Sequence, residues 1–167
     1  GNLGSVIMPD TYGTWAGYQT YCTARDLDIA SQDAISFAAD SLVASEWLDA
    51  VYRSGFGGRK VDGRDQVREW PRAGAIDQYG YAILSASVPT EIENATYEAT
   101  RRNAATPGSL SVDYTPPKYK RASVEGAVAV EYAMFDSARD AQTRFTIIDQ
   151  ILAPILTNPS AGTSGYA

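Results

Sequence analysis

The chain has 167 residues, 44% of them hydrophobic, with 11 Tyr, 4 Phe and 3 Trp, which suits one domain with a real core and excludes a disordered chain. Its 14 basic residues face 20 acidic ones for a net charge of −6, so the chain as a whole repels a phosphate backbone and only a local basic patch is left for DNA contact. One cysteine and no histidine exclude an intrachain disulfide, a Cys/His zinc site and the usual base for a Ser or Cys nucleophile.

Residues 1–13 are rich in Gly, Pro and small side chains and read as an extended arm. They lack the basic and then apolar order of a signal peptide, and no apolar run reaches the ~20 residues of a membrane span. Cytosolic synthesis is the expectation. A short helix begins near Thr14, because Trp15, Tyr18 and Cys22 recur at helical spacing, and it ends near Asp26–Asp28.

Ser31 is the expected cap of a longer helix over about 32–53. Ile35, Ala38, Ala39 and Leu42 share one face of it, while Val43, Trp47, Leu48, Val51 and Tyr52 gather on nearly the opposite face. At ~100° per residue the apolar stripe changes sides. Such a helix lies between two packing partners or bends near Ser45.

A loop follows through Gly55 and Gly63 to Trp70-Pro71-Arg72, with Trp70 held extended by the proline. Asp77-Gln78-Tyr79-Gly80 reads as a turn. Val88-Pro89 opens a third helix, with the proline in its first turn, and Ile92, Ala95 and Ala99 give that helix a narrow face suited to close packing. Residues 106–118 read as a proline-rich loop. Alternation of Val124, Val128, Val130 and Tyr132 then predicts either a hairpin, 119–124 with 127–133, or one longer bent strand. A last helix over about 141–153 carries Phe145, Ile148 and Leu152 on one face, and Pro154 ends or kinks it. Residues 157–167 have the composition of a flexible tail.

Two clusters concentrate positive charge: Arg53, Arg59, Lys60 and Arg64, and then Lys118, Lys120 and Arg121. Asp62 and Asp65 interrupt the first, so both read as solvated loop charges. Gly55 to Lys60 superficially suggests a phosphate-binding loop, but Val61 follows the lysine where Ser or Thr is required, and the segment leaves a helix. The acidic pairs Asp26/Asp28, Asp62/Asp65 and Glu91/Glu93 read as surface acidity. Asn94-Ala95-Thr96 matches a glycosylation acceptor but falls inside a predicted helix. For Trp70-Pro71-Arg72, a core anchor with Arg72 paired to a carboxylate and a contact to another protein stand as equal readings. No catalytic, cofactor or metal site emerges, and the chain is not expected to be an enzyme.

The order of these features resembles phage head–tail connector proteins of the group often labelled DnaT-like single-stranded-DNA-binding proteins. The likeness rests on Trp15 to Tyr21, on Ala44-Ser45-Glu46-Trp47-Leu48-Asp49 with Tyr52-Arg53, and on the loop Gly55, Gly58 and Arg59. It continues through Trp70-Pro71-Arg72 with Gly74, Asp77/Gly80, and Val88-Pro89 with Ala95 and Glu98. Val128-Ala129-Val130-Glu131-Tyr132 and the run from Ile148 to Leu156 complete it. Phe56 stands where the family carries Trp, and residues 106–118 are longer and richer in proline than the pattern.

The expected fold is mainly α: a small helical bundle with a β-hairpin and extended N- and C-terminal arms, divided into an arm (1–13), an adaptor domain (14–156) and a tail (157–167). The resemblance implies a structural virion protein, a head-to-tail adaptor forming a ring of its own copies beneath the portal protein. Downstream neck or tail proteins would be further partners, genome DNA would pass through without specific binding, and no membrane is involved. Its place would be the neck of the virion. The alternative is a DnaT-like single-stranded-DNA-binding replication accessory. An acidic chain favours the adaptor, since a channel wall must not adhere to DNA. Trp47, Leu48, Trp70, Arg72, Ile155 and Leu156 are the candidate subunit or portal contacts, with residues from about 155 onward reaching outside the subunit.

Overall fold

Side-chain oxygens start the first two helices in the computed structural model, which describes residues 10–111 and 144–157. Thr14 Oγ1 accepts from the Gly17 N–H at 3.0 Å and opens α1 (Trp15–Ala24). Asp33, rather than Ser31, opens α2 (Ala34–Tyr52). Its carboxylate accepts from the Ser36 N–H while the Ser36 hydroxyl accepts from the Asp33 N–H, and this reciprocal box, worth about 1 kcal/mol, decides where the helix begins.

The chain then forms β1 (Arg59–Lys60), β2 (Arg72–Ala73), α3 (Thr90–Ala105), with Pro89 as its N-cap, and α4 (Thr146–Leu152). The mainly α expectation holds. The strands pair antiparallel, Arg59 opposite Ala73 and Lys60 opposite Arg72. This ladder is not the hairpin expected at 119–133, a segment outside the described residues, as are 141–143 of the last predicted helix. No helix among the described residues is long and apolar enough to cross a membrane.

The apolar stripe of α2 does not change sides. Phe37, Ser41, Ala44, Ser45, Leu48 and Tyr52 are all buried, one continuous helical face. Ile35 is 83% and Leu42 39% exposed, and Ala38 and Ala39 lie at the surface with them. Two serines complete the buried face. Ser45 Oγ donates to the Ser41 carbonyl at 2.7 Å and accepts from the Tyr12 N–H at 3.0 Å, so its hydroxyl is satisfied inside the core and costs little. A count of apolar residues alone misses this face.

α2 packs chiefly on α3, and α4 closes against α3. Ile92, Ala95 and Ala99 of α3 meet Leu48, Trp70, Ile148, Leu152 and Leu156 in the main core. A second, aromatic cluster of Tyr18, Tyr21, Phe37 and Tyr97 seats α1, with the Tyr18 and Phe37 rings 5.1 Å apart. Tyr12, which the sequence places in an arm, is buried in the main core. Its hydroxyl donates to Asp49 Oδ1 at 2.7 Å and accepts from the Trp70 N–H at 3.1 Å.

Candidate functional site

The six side chains expected at subunit or portal contacts are consumed by the chain's own interior. Trp47, Leu48, Trp70, Arg72, Ile155 and Leu156 are all buried. Trp47 packs on Phe145 at 5.7 Å, and Trp70 meets Phe56 edge-on at 5.4 Å. Leu156 bridges to Phe56, and the Thr157 N–H donates to the Gly55 carbonyl at 2.7 Å. Residues 153–157, after α4, therefore lie against the subunit's own core, and the expected tail beyond them, residues 158–167, lies outside the described residues. Apolarity marks a buried residue and not which surface buries it, so Trp47, Leu48, Ile155 and Leu156 read equally well as core or contact from sequence.

Arg72 acts as a clamp. Its Nε donates to the Gly57 carbonyl at 2.6 Å, Nη2 to the Gly58 carbonyl at 2.9 Å, and Nη1 to Glu69 Oε1 at 2.8 Å. Gly58 has φ +66, and no side chain would fit there against the Ala73 carbonyl and the Ala75 nitrogen. A glycine at this position lets the loop backbone lie directly on the segment after β2. The next residue, Arg59, is exposed.

The remainder of the basic stretch is ordered by one buried amide. Gln66 Nε2 donates to the carbonyls of Arg68 and Pro71, and its Oε1 accepts from the Asp62 N–H. Lys60 is half-buried and donates to the Gln66 carbonyl at 2.9 Å. Arg64 is exposed on the turn Gly63–Asp65. Arg53 is exposed and shares Glu69 with Arg72 at 3.8 Å. Arg59 and Arg64 are thus the cations that a held backbone presents to solvent. The second cluster, Lys118, Lys120 and Arg121, lies outside the described residues.

Beyond β2 the chain makes a feature that sequence reading treated only as a turn. Residues 72–76 pair first with β1 and then, through Ile76, with Ala82. Inside the loop that the second pairing closes, Asp77 Oδ1 accepts from the Tyr79 and Tyr81 N–H groups at 2.8 and 2.9 Å. The Asp77 N–H donates to the Tyr81 carbonyl, and the Gly80 N–H to the Asp77 carbonyl. Gly80 has φ +89, the left-handed geometry that reverses the chain. Tyr79 and Tyr81 are 72% and 71% exposed. The signal available in the sequence was two aromatics flanking a turn glycine, where core aromatics are not expected.

A buried polar group lies at the start of the segment that carries Arg72. Asp49 accepts from Tyr12 and from the Glu69 N–H and pairs with Arg68 at 3.3 Å. Burial raises its carboxyl above the ordinary value, against the lowering by the Tyr12 hydrogen bond. Burial and the neighbouring Asp49 likewise raise the Tyr12 hydroxyl, so it stays protonated as a donor. The group fixes the start of the Glu69–Arg72 segment and hence the clamp. Among the described residues no three His, Cys, Asp or Glu side chains converge to hold a metal ion.

The surface therefore offers held cations and flat aromatic faces. A family model described as "Putative DnaT-like ssDNA binding protein" matches residues 6–167. No curated protein and no solved structure matches the chain. The family match overturns the head–tail connector assignment, and with it the adaptor ring, the portal, neck and tail partners and the place in a virion neck. Net charge misled that expectation because it averages over the whole chain, whereas contact with a strand depends on the local surface.

Proposed function

This chain belongs to the DnaT-like ssDNA-binding protein family, and from that membership we propose that it binds single-stranded DNA as a non-catalytic replication accessory. The match over residues 6–167 carries the reading. The exposed Arg59 and Arg64 support it, because cations on a backbone fixed by Arg72 and Gln66 meet phosphates with little ordering cost. A net charge of −6 opposes this attraction at long range, so binding is modest and strongly dependent on salt. The site of action on this reading is the cytoplasm, where replication intermediates expose single strands.

Fluorescence anisotropy of the full chain with a labelled oligo(dT) strand, and with a duplex of equal length, tests the reading. Tighter binding to the single strand, weakening as salt rises, is expected. Absence of binding at low salt, or equal affinity for the duplex, would overturn it.

A further inference from the structure

We infer that the turn at residues 77–81 is a base-stacking element in which Tyr79 and Tyr81 take unpaired nucleobases on their ring faces. This rests on the ssDNA reading and assigns the part of the molecule that distinguishes a single strand from a duplex.

Concentration of exposed apolar surface is the first observation. Ile76, Tyr79, Tyr81 and Leu84 are each more than half exposed and fall within residues 76–84. Most other aromatic side chains among the described residues are in the two cores, and Trp15 and Phe145 pack against them. Scattered exposed leucines need no explanation, but a local cluster of large rings does.

The second observation is that the turn is held rather than loose. One carboxylate, Asp77, takes the backbone N–H groups of both tyrosines, and the Gln78 N–H donates to the Pro154 carbonyl at 2.7 Å. Both rings are therefore borne on a fixed backbone, which lowers the ordering cost of meeting a ligand. Every base offers a π-face, so such rings bind unpaired bases without sequence preference, whereas a duplex hides those faces.

Proximity to positive charge is the third. Ala75, whose carbonyl accepts from the Ile83 N–H in the aromatic hairpin, lies against Gly58, the residue before Arg59. The cation-bearing strand and the ring-bearing turn thus spring from one junction. A strand whose bases stack on the rings can pass its phosphates to the Arg59 side. A purely apolar protein partner gains nothing from that charge, so the nucleic acid is the better occupant.

The test uses the full chain, the double variant Tyr79→Ala/Tyr81→Ala and the control Tyr79→Phe/Tyr81→Phe. Each is titrated into labelled oligo(dT) and into an abasic strand of equal length. Native protein should prefer the base-bearing strand by about tenfold or more, since each stacked base contributes that order of affinity. The alanine variant should lose the preference and keep the salt slope, and the phenylalanine variant should retain both. Thermal melting reports whether each variant folds. A folded alanine variant that keeps the preference overturns the inference while leaving the ssDNA reading standing. Unchanged DNA affinity with altered sedimentation overturns it in favour of a protein contact. Failure of the native chain to bind oligo(dT) overturns the ssDNA reading and this inference together.

Discussion

The backbone N–H of Gln78 donates to the carbonyl of Pro154 at 2.7 Å, so the tip of the aromatic turn rests on the segment that follows the last helix. A few residues later the Thr157 N–H and hydroxyl both donate to the Gly55 carbonyl. One short stretch of chain thereby braces both the turn and the glycine loop, while the Arg72 guanidinium holds the loop separately at Gly57 and Gly58.

Loosening that brace should be measurable at both ends. Leu156 is buried in the main core, where it bridges to Phe56. Leu156→Ala should cost ~2–5 kcal/mol in urea unfolding, as cavities of this kind do. Hydrogen exchange at the Gln78 and Thr157 amides should quicken more than at amides in the middle of α2.

The two faces of α2 should respond oppositely to truncation. Leu48→Ala removes a fully buried side chain and should destabilise by ~2–5 kcal/mol. Ile35→Ala acts at an exposed position and should stay within about 0.5 kcal/mol. Equal losses in chemical denaturation would show that the first half of the helix is covered by something after all.

Salt dependence separates the cations by role. Arg59→Ala and Arg64→Ala should each reduce the slope of log affinity for single-stranded DNA against log salt by about 0.7, the value for one lost phosphate contact on a single strand. Arg72→Ala should instead destabilise the protein, because its guanidinium is committed to Gly57, Gly58 and Glu69.

Acid should weaken the fold through Glu98. Burial raises its carboxyl, but the Tyr21 hydroxyl at 2.6 Å, the Arg102 guanidinium at 2.5 Å and Arg101 together outweigh it, and the group lies below the ordinary glutamate value of 4.5. A depressed carboxyl contributes stability that is fully present above the unfolded value and is lost as pH falls through the folded one. Glu98→Gln should therefore be less stable than the native chain at neutral pH, with the gap narrowing as pH falls below about 4.5. A gap independent of pH in parallel melting curves would contradict this.

Much of the helical architecture is legible in the sequence. Period-three-to-four spacing of Trp15, Tyr18 and Cys22, the narrow face of Ile92, Ala95 and Ala99, and the Asp77/Gly80 turn chemistry are local properties, set by backbone geometry within a few residues. The family is also carried by the sequence alone, in a match that runs from residue 6 to 167. The tertiary structure decided everything that depends on which surface covers which. It brings Tyr12 to Asp49, closes Leu156 onto Phe56, completes the α2 stripe with two satisfied serines, and leaves Tyr79 and Tyr81 exposed. Hydrophobicity is non-directional, so an apolar side chain declares that it will be covered without naming the partner. Only the long-range contacts supply that name.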